Sequence, residues 1–247
     1  MNIVCIIPAR MESTRFPGKP MHKINGLPMI ERVYRNVKKN PILSDVVVAT
    51  CNKEIFNHIN LIGGEAVMTS KKHKRASDRS YEALKKIEKK NKKKYEIVVM
   101  VQGDEPMVHP DMINEAVKPM LKDRKIKVLN LMGNIKNKKE FLDPNCIKVV
   151  CDKKLNAMYF SRSALPFLKF KKGQNIKKQV CIIPFRRDFL ITYNSLKPTI
   201  LEKIESIDML RVLENGFEVK MAKTKHFTQA VDTKSDALKV AKLIRRK

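Results

Sequence analysis

The chain has 247 residues, 43% of them hydrophobic, which is enough to bury the core of one large α/β domain or of a domain with a smaller lobe. Its 52 Lys and Arg outnumber 25 Asp and Glu, and the formal net charge of +27 favours anionic partners. No apolar run approaches the roughly 18 residues of a membrane span and no signal-peptide layout is present, so we expect no membrane insertion and a cytoplasmic protein.

Short apolar, β-branched runs alternate with helical patterns from the N-terminus onward. Strands are predicted at Ile3–Ile7, Val46–Ala49, Ile97–Val101, Lys127–Leu131, Cys146–Val150, Ala157–Phe160, Val180–Ile183 and Phe217–Met221. Helices are predicted at Met29–Lys39, Glu54–Leu61, Asp78–Lys92, Asp111–Leu121, Arg187–Ser195, Leu201–Glu214 and Ser235–Arg246. The alternation predicts an α/β fold with a mostly parallel, Rossmann-like sheet flanked by helices.

The predicted strands follow one another more closely between about Asn145 and Phe185. This spacing predicts a smaller, partly antiparallel lobe at about residues 145–215, inserted before the final strand and helix of a single domain that covers residues 1–247. The polar, basic segment Lys169–Lys178 predicts a loop. In an open parallel sheet, ligands bind beyond the carboxyl ends of the strands, so the loops at those ends are the candidate site.

The loop after the first predicted strand, Pro8–Pro20, carries three cations. Arg10 and Arg15 offer planar forks that pair with phosphate oxygens at two points, and Lys19 offers a compact point charge. Gly18 lets the backbone approach a ligand closely. The loop has neither the GxGxxG pattern nor the P-loop pattern. It predicts a site for the triphosphate of a nucleotide.

A carboxylate follows the apolar strand Ile97–Val101, within Gln102-Gly-Asp-Glu-Pro106. Asp104 is placed to hold a hard cation such as Mg²⁺, which proteins bind through one or two carboxylates together with substrate phosphate oxygens and water. Asp232 precedes the C-terminal helix and is either a second metal carboxylate or a residue beside an N-cap at Thr233. The spacing leaves both readings open.

The segment His73–Arg79 opens a predicted helix that begins near Asp78. Ser77 or Asp78 would serve as its cap, and a helix N-terminus beside cations favours anions. His73 has no spaced partner that would make it a general base or a metal ligand, so we expect a loop or packing role. Arg162 is consistent either with pairing to a substrate carboxylate or with a structural role.

Lysine pairs are spread along the whole chain, with few aromatic residues between them. A stacking platform for nucleic-acid bases needs aromatics, and 6% of the residues are aromatic. We interpret the charge as solvated surface lysine, with steering of anionic substrates and functional nucleic-acid binding as alternatives. The five cysteines are scattered without CxxC spacing, which predicts buried reduced thiols and supports neither a zinc site nor a disulfide framework.

Together these motifs resemble the 3-deoxy-manno-octulosonate (Kdo) cytidylyltransferases, also called CMP-Kdo synthetases. The similarity runs in family order from Ile3 to about Leu238. The matching motifs are Ile7-Pro-Ala-Arg10, Ser13-Thr-Arg-Phe-Pro-Gly-Lys-Pro20, Gly63-Gly-Glu65, Met68-Thr69, Val101-Gln-Gly-Asp-Glu-Pro106, Tyr159-Phe-Ser-Arg162, Glu202-Lys-Ile-Glu-Ser206, Leu210-Arg-Val-Leu-Glu-Asn-Gly216 and Val231-Asp-Thr233. The first motif also marks sugar nucleotidyltransferases more widely, whereas the whole set is more specific.

The resemblance implies a homodimeric nucleotidyltransferase that uses CTP and Mg²⁺ to activate an anionic 3-deoxy sugar acid, giving CMP-sugar and pyrophosphate for surface glycan or lipopolysaccharide synthesis. It implies catalytic roles for Arg10, Lys19 and Asp104, and metal binding by Asp104 and Asp232. The nucleotide would be contacted by Pro8, Ala9, Arg10, Arg15, Lys19, Ser77 and Arg79. The sugar would be contacted by Gln102, by Arg162 at its carboxylate and by Glu205 at its hydroxyls.

Three segments depart from the family pattern: Arg75-Ala-Ser-Asp-Arg79, Gln179-Val-Cys-Ile-Ile183 and Asp208-Met209. The first stands where Ser-Gly-Thr-Asp/Glu-Arg is usual, the second replaces a His-Ile-Gly-Ile-Tyr-like run, and the third replaces Glu-Gln. Unpaired buried polar groups discriminate strongly between substrates, so the second and third departures leave both Kdo and a related keto-deoxy acid open as the sugar. The first departure lies in the region that helps to hold the nucleotide and leaves the contacts to the base open as well. The alternatives are a nucleotidyltransferase for another sugar or nucleotide, and a basic RNA-binding protein on the same scaffold.

Overall fold

The computed structural model describes residues 1–167 and 175–245. The strands are β1 (Ile3–Ala9), β2 (Lys23–Ile24), β3 (Leu27–Pro28), β4 (Asp45–Thr50), β5 (Glu65–Met68), β6 (Ile97–Val101), β7 (Leu129–Asn134), β8 (Lys148–Cys151), β9 (Ala157–Ser161), β10 (Lys177–Val180), β11 (Ile182–Arg186) and β12 (Lys220–Lys223). The helices are α1 (Met29–Lys38), α2 (Lys53–Leu61), α3 (Ala76–Asn91), α4 (Pro110–Lys122), α5 (Lys138–Leu142), α6 (Arg187–Ser195), α7 (Ile200–Glu205), α8 (Asp208–Glu214) and α9 (Lys234–Arg245). The chain forms two compact units, one of Met1–Asn114 with Phe227–Lys247 and one of Glu115–His226.

Four strands of the first unit pair in parallel in the order β6-β1-β4-β5. Every residue of β1 and β6 is buried, as in a parallel sheet that is covered on both faces. The chain proceeds from β1 outward to β4 and β5, and then returns to add β6 on the other side of β1. The strand order therefore reverses between β1 and β6, and loops that leave neighbouring strands at such a reversal open a crevice for a ligand.

The long helices of the first unit agree with those predicted from the sequence. The observed α1, α2 and α3 begin and end within two residues of the predicted helices. In α1 the buried side chains recur at helical spacing, at Met29, Ile30, Val33, Tyr34 and Val37. The short strands β2, β3 and β5 were not predicted, because two to four residues carry too little pattern to distinguish a strand from a loop.

The second unit has a sheet in the order β12-β7-β10-β8-β9. β12 runs parallel to β7, and the other neighbours are antiparallel, which confirms the partly antiparallel character expected of the smaller lobe. The unit is wider than the predicted lobe at both ends, because β7 and β12 both belong to its sheet. The final strand was expected to follow the lobe, and that expectation is wrong, since β12 pairs with β7 inside it.

Two predicted elements of the second unit are each divided in two. The helix predicted at Leu201–Glu214 is α7 and α8, because Ser206 adopts a left-handed backbone with φ of 56° that ends the first helix. The strand predicted at Val180–Ile183 is the junction of β10 and β11, interrupted at Cys181. The loop predicted at Lys169–Lys178 falls largely on residues 168–174, which lie outside the described residues, and Lys177 already begins β10.

Cysteine burial is more varied than the sequence suggested. Cys5 and Cys51 are buried, whereas Cys146, Cys151 and Cys181 are half-buried, and all five are free thiols. Burial raises the pKa of Cys146 to about 12, so this thiol is a poor nucleophile at neutral pH. Within the described ranges, no helix has the length and apolar character that crossing a membrane requires.

Candidate functional site

Lys19 lies at the centre of a cluster of charges in the first unit. Gly18 adopts a left-handed backbone with φ of 71°, which turns the chain into a 3-10 helix over Lys19–Met21. The Lys19 ammonium donates to Asp104 Oδ2 at 2.7 Å and to the Val231 carbonyl at 2.9 Å. Asp232 Oδ1 lies 3.7 Å from the same nitrogen. The cation from the loop after β1 thus meets both predicted metal carboxylates.

The electrostatics of this cluster are strongly coupled. Burial opposes a charge on Lys19, but the adjacent Asp104 carboxylate outweighs it, and the pKa of Lys19 is raised. The pKa of Asp232 is also raised, first by burial and then by repulsion from Asp104, although Lys19 and Arg15 counteract it. Two carboxylates that repel each other in a partly buried place favour an additional cation.

The other two cations of the loop are more open to solvent. Arg15 Nη2 donates to Asp232 Oδ1 at 3.0 Å, and about half of the Arg15 side chain is exposed. Arg10 is exposed at the start of the loop, directly after Pro8 and Ala9, which are buried at the end of β1. The structure therefore brings Arg15 and Lys19 onto the carboxylates and leaves Arg10 facing water.

The loop is anchored by residues that sequence reasoning did not single out. Phe16, between the cations, is buried against an apolar cluster that includes Val231, Ala237 and Val240. Asn52, in the loop after β4, accepts from the Met11 amide at 3.1 Å. The signal for Asn52 was its position at the carboxyl end of a buried strand, where ligand loops collect.

Backbone contacts join the segments that carry the two aspartates. The Val231 amide donates to the Asp104 carbonyl at 2.9 Å, and Thr228 Oγ1 donates to the buried Glu105 at 2.7 Å. Thr233 is the N-cap of α9, since its hydroxyl accepts from the Asp236 amide at 3.2 Å. The Asp232 carboxylate itself faces Lys19 and Arg15.

The start of α3 differs from the prediction. The helix begins at Ala76 with Arg75 as N-cap and no side-chain cap, so the expected cap at Ser77 or Asp78 is wrong. Ser77 is instead fully buried inside the first turn. His73 Nε2 contacts Glu82 Oε2, in agreement with a packing role.

Arg79 is a buried cation with spare hydrogen-bonding capacity. It is 3% exposed, and its Nη1 atom contacts Thr69 Oγ1. Its Nη2 atom has no hydrogen-bond partner among the described residues. An unsatisfied buried guanidinium nitrogen destabilises a fold, and a ligand that accepts from it would remove that penalty. This feature makes Arg79 a strong candidate contact for an anion or a carbonyl.

In the second unit, Arg162 and Glu205 lie in direct contact. The Glu205 carboxylate accepts from Ser161 Oγ at 2.9 Å and from the Arg162 amide at 2.8 Å, and Arg162 Nε donates to the Glu205 carbonyl at 2.6 Å. Tyr159 also hydrogen-bonds to Glu205, and its pKa is raised by burial and by that carboxylate. Gln102, the third predicted sugar contact, is half-buried in the first unit directly after β6.

The motif that contains Glu205 also has a structural component. Glu202 and Arg211 form a two-point ion pair at 2.6 and 2.7 Å, with both side chains almost fully buried. This pair joins α7 to α8 and so fixes the end of α7, where Glu205 lies. It is the kind of bidentate pair that holds geometry firmly.

The unusual residues at two positions of the second unit are accommodated locally. Gln179 Nε2 donates to Asn130 Oδ1 at 2.5 Å, and the buried Asn130 donates to the Val180 carbonyl at 2.7 Å. Met209 is fully buried among the apolar residues of α8. The side chain at 179 therefore has a partner inside the protein, and the side chain at 209 belongs to the core.

Known proteins agree with this architecture. The cytidylyltransferase family model matches residues 4–225. The chain is 40% identical to the 3-deoxy-manno-octulosonate cytidylyltransferase of Geobacter metallireducens, with 100% of this chain and 99% of the relative covered. It is 39% identical to the protein of the same name from Fusobacterium nucleatum, with 99% and 98% covered.

Solved structures give the same result. The structure of CMP:2-keto-3-deoxy-manno-octonic acid synthetase complexed with CTP superposes with a TM-score of 0.88 at 32% identity, covering 100% of this chain and 99% of that one. The 4-diphosphocytidyl-2C-methyl-D-erythritol synthase of Anaerococcus prevotii, at 12% identity and a TM-score of 0.66, shares the fold. By sequence along its whole length and by structure, the chain belongs to the 3-deoxy-manno-octulosonate cytidylyltransferases of the cytidylyltransferase family.

Proposed function

We propose that the chain transfers CMP from CTP to Kdo, or to a closely related 3-deoxy sugar acid, and releases pyrophosphate. The observation that carries the proposal is the meeting of Lys19 with Asp104 and Asp232 beside the reversal of strand order, in a chain of this family. A cation and two carboxylates in one place suit a reaction in which charge develops on phosphate oxygens. The sugar hydroxyl is the nucleophile, and its attack on the α-phosphorus breaks the bond to the β-phosphate oxygen.

The loop after β1 is the proposed triphosphate site. Arg10, Arg15 and Lys19 bind the phosphates, with Pro8 and Ala9 at the edge of the pocket. Lys19 neutralises charge on the departing pyrophosphate, because its raised pKa keeps it protonated at neutral pH. Ser77 and Arg79 are the proposed contacts to the rest of the nucleotide, since the unsatisfied Arg79 Nη2 atom gains a partner when a ligand binds.

Asp104 and Asp232 are the proposed ligands of Mg²⁺. The donor set fits, because both side chains offer hard oxygen atoms, and burial followed by repulsion from Asp104 raises the pKa of Asp232. When bound, the ion would supply charge neutralisation at the phosphate oxygens. Lys19 forms an ion pair with Asp104, and Arg15 forms one with Asp232.

Arg162, Glu205 and Gln102 are the proposed contacts to the sugar acid. An Arg fork matches a carboxylate at two points, which suits the acid group of a 3-deoxy sugar acid. A glutamate and a glutamine suit sugar hydroxyls, which both donate and accept hydrogen bonds.

We also propose that the enzyme acts in the cytoplasm as a homodimer that supplies activated sugar for surface glycan or lipopolysaccharide synthesis. Support for association comes from exposed apolar side chains of the second unit, where Met158 is 65% exposed, Ile200 71% and Ile204 73%. Met158 lies on β9, the edge strand of its sheet. Light scattering of the purified protein measures the oligomeric state, and a monomer at micromolar concentration would reject the dimer.

The decisive assay is pyrophosphate release from CTP and Mg²⁺ with a panel of 3-deoxy sugar acids that includes Kdo. Asp104→Asn should abolish turnover and remove the response to Mg²⁺, whereas Asp188→Asn, at a side chain that is 92% exposed, should retain both. Thermal shifts with CTP, UTP, GTP and ATP test nucleotide choice. A protein that binds CTP but releases no pyrophosphate with any sugar acid would rule out the transferase.

A further inference from the structure

A lysine with no exposed surface lies at the start of β8. Lys148 is 0% exposed, and its ammonium donates to the carbonyl groups of Arg162 at 2.6 Å and Asp143 at 2.9 Å. It forms no ion pair with any described residue, and burial lowers its pKa. A buried charge without an ionic partner destabilises a fold, so the role of Lys148 lies in the two carbonyl groups that it holds.

Lys148 extends the hydrogen bonding of the sheet past the end of β9. It pairs with Ser161 in the register of β8 and β9, and β9 ends at that residue. The Arg162 carbonyl is therefore beyond the strand ladder, and its donor must come from elsewhere. The Lys148 side chain supplies that donor.

Arg162 is held at every polar group of its main chain. Glu205 binds its amide at 2.8 Å and Lys148 binds its carbonyl at 2.6 Å. Its Nη1 atom donates to the Pro144 carbonyl at 2.9 Å, next to the Asp143 carbonyl that Lys148 binds. The carbonyl groups of Asp143 and Pro144 are successive, and they are bound by Lys148 and by Arg162 respectively.

The guanidinium of Arg162 keeps donors for a ligand. It has five N–H groups, and described residues accept from three of them, from Nε to Glu205, from Nη1 to Pro144 and from Nη2 to Ser206 at 3.5 Å. With respect to the described residues, one N–H group remains on each Nη nitrogen. Two donors on neighbouring nitrogens are what a carboxylate accepts at two points.

We infer that Lys148 is a positioning residue for the sugar acid, which fixes the main chain of Arg162 so that its two remaining Nη donors meet the substrate carboxylate. The inference rests on the proposed function, in which Arg162 binds that carboxylate. A misplacement of about 1 Å can slow an enzyme by a hundredfold, so rigid placement of the arginine matters for the sugar and leaves CTP unaffected.

The first test is structural and needs no substrate. Hydrogen exchange is compared between Lys148→Met and Lys153→Met, since Lys153 is an exposed lysine in the turn after β8. The Arg162 amide should exchange about tenfold faster in Lys148→Met, because its hydrogen bond to Glu205 opens more often. Equal exchange at Arg162 in the two variants would overturn the positioning role. If Lys148→Met does not fold, Lys148→Gln, which retains a donor, replaces it.

The second test separates the two substrates. Lys148→Met should raise the KM for Kdo about tenfold and leave the KM for CTP unchanged, and Lys148→Arg should restore part of the loss. In an Arg162→Ala background, Lys148→Met should add little, because both changes act on the same interaction, that of Arg162 with the substrate carboxylate. Equal losses for Kdo and CTP, or additive effects, would refute the inference. Absence of turnover in the unaltered enzyme would instead reject the proposed function, and the exchange result would still decide whether Lys148 holds Arg162.

Discussion

The role of a single residue in this site depends on the charges around it. Lys19 was predicted as one of three phosphate-binding cations, and the structure gives it a second property, since it is the shared partner of Asp104 and Asp232. The spacing in the sequence left Asp232 with two possible roles. The structure separates them, because Thr233 caps α9 while the Asp232 carboxylate faces the cations.

Lys19→Met tests the charge at the centre of this cluster. The substitution keeps most of the side-chain length and removes the ammonium, so kcat/KM for CTP should fall on the order of a hundredfold to a thousandfold, as for loss of one preorganised donor. Steady-state pyrophosphate release measures the change. Lys23→Met is the matched control, since Lys23 is exposed nearby in β2. Similar kcat/KM values for both variants would show that Lys19 does not stabilise the transition state.

Glu82 gives a pH dependence whose direction follows from its partners. Burial raises its pKa, but hydrogen bonds from Lys86, the Ser70 amide and His73 outweigh burial and lower the pKa from 4.5 to about 2. As the pH falls, Glu82 therefore takes up its proton at a higher pH in the unfolded chain than in the folded one. The stabilisation is fully present above pH 4.5 and is lost as the pH falls towards 2.

Thermal unfolding of Glu82→Gln over a range of pH checks this expectation. The variant should melt below the unaltered protein at neutral pH, and the difference should shrink as the pH falls from 4.5 towards 2. The exposed Glu218→Gln should show no such trend. A difference for Glu82→Gln that is constant with pH would contradict the assignment.

Strands and helices were predictable from the sequence where the apolar run or the helical periodicity is long. Apolar strands such as β1 and β6, followed by polar loops, predicted both the sheet and the loops that carry Lys19 and Asp104, since sheet topology places such loops together. The break at Ser206 was not predictable, because a left-handed serine has no sequence signature comparable to that of glycine. Lys148 left no signal either, since in a sequence a buried lysine that binds main-chain carbonyl groups looks like any surface lysine.

The pair of helices α7 and α8 depends on the buried ion pair of Glu202 and Arg211. Arg211→Met removes the two-point ionic partner of the buried Glu202 carboxylate, which should reduce the free energy of unfolding by about 3–5 kcal/mol. Lys203→Met, at an exposed position of α7, should stay near the unaltered value. Urea unfolding followed by circular dichroism measures both. Restoration of stability by a further Glu202→Gln change would confirm that the buried Glu202 charge, once Arg211 is removed, causes the loss, and equal stability of the two single variants would disprove it.

The net charge of +27 raises the question of whether the lysines attract anions together or only through those near the site. Some of them are neutralised by acidic neighbours, as Lys90 is by Glu65 and Lys93 by Asp45. Others, such as Lys138 and Lys139 on α5, are exposed. Charges separated by more than about 8 Å are largely screened at physiological ionic strength. A distant lysine should therefore contribute to the general field and little to the binding of one substrate.

Cations near the triphosphate and cations distant from it should therefore differ in their effect on the KM for CTP. Arg10→Gln removes a cation from the triphosphate loop and should raise the KM for CTP about tenfold, as loss of a charge-assisted hydrogen bond does. Lys89→Gln with Lys92→Gln removes twice the charge at exposed positions that lead into the amino end of β6, the opposite edge of the sheet from the triphosphate loop, and should change that KM by less than about twofold. Measurements at several NaCl concentrations separate the contributions, because the general field weakens with salt while close pairs in the loop persist. A larger effect from the distant pair, or competition between CTP and single-stranded RNA that survives moderate salt, would mean that the lysine surface binds ligands in its own right.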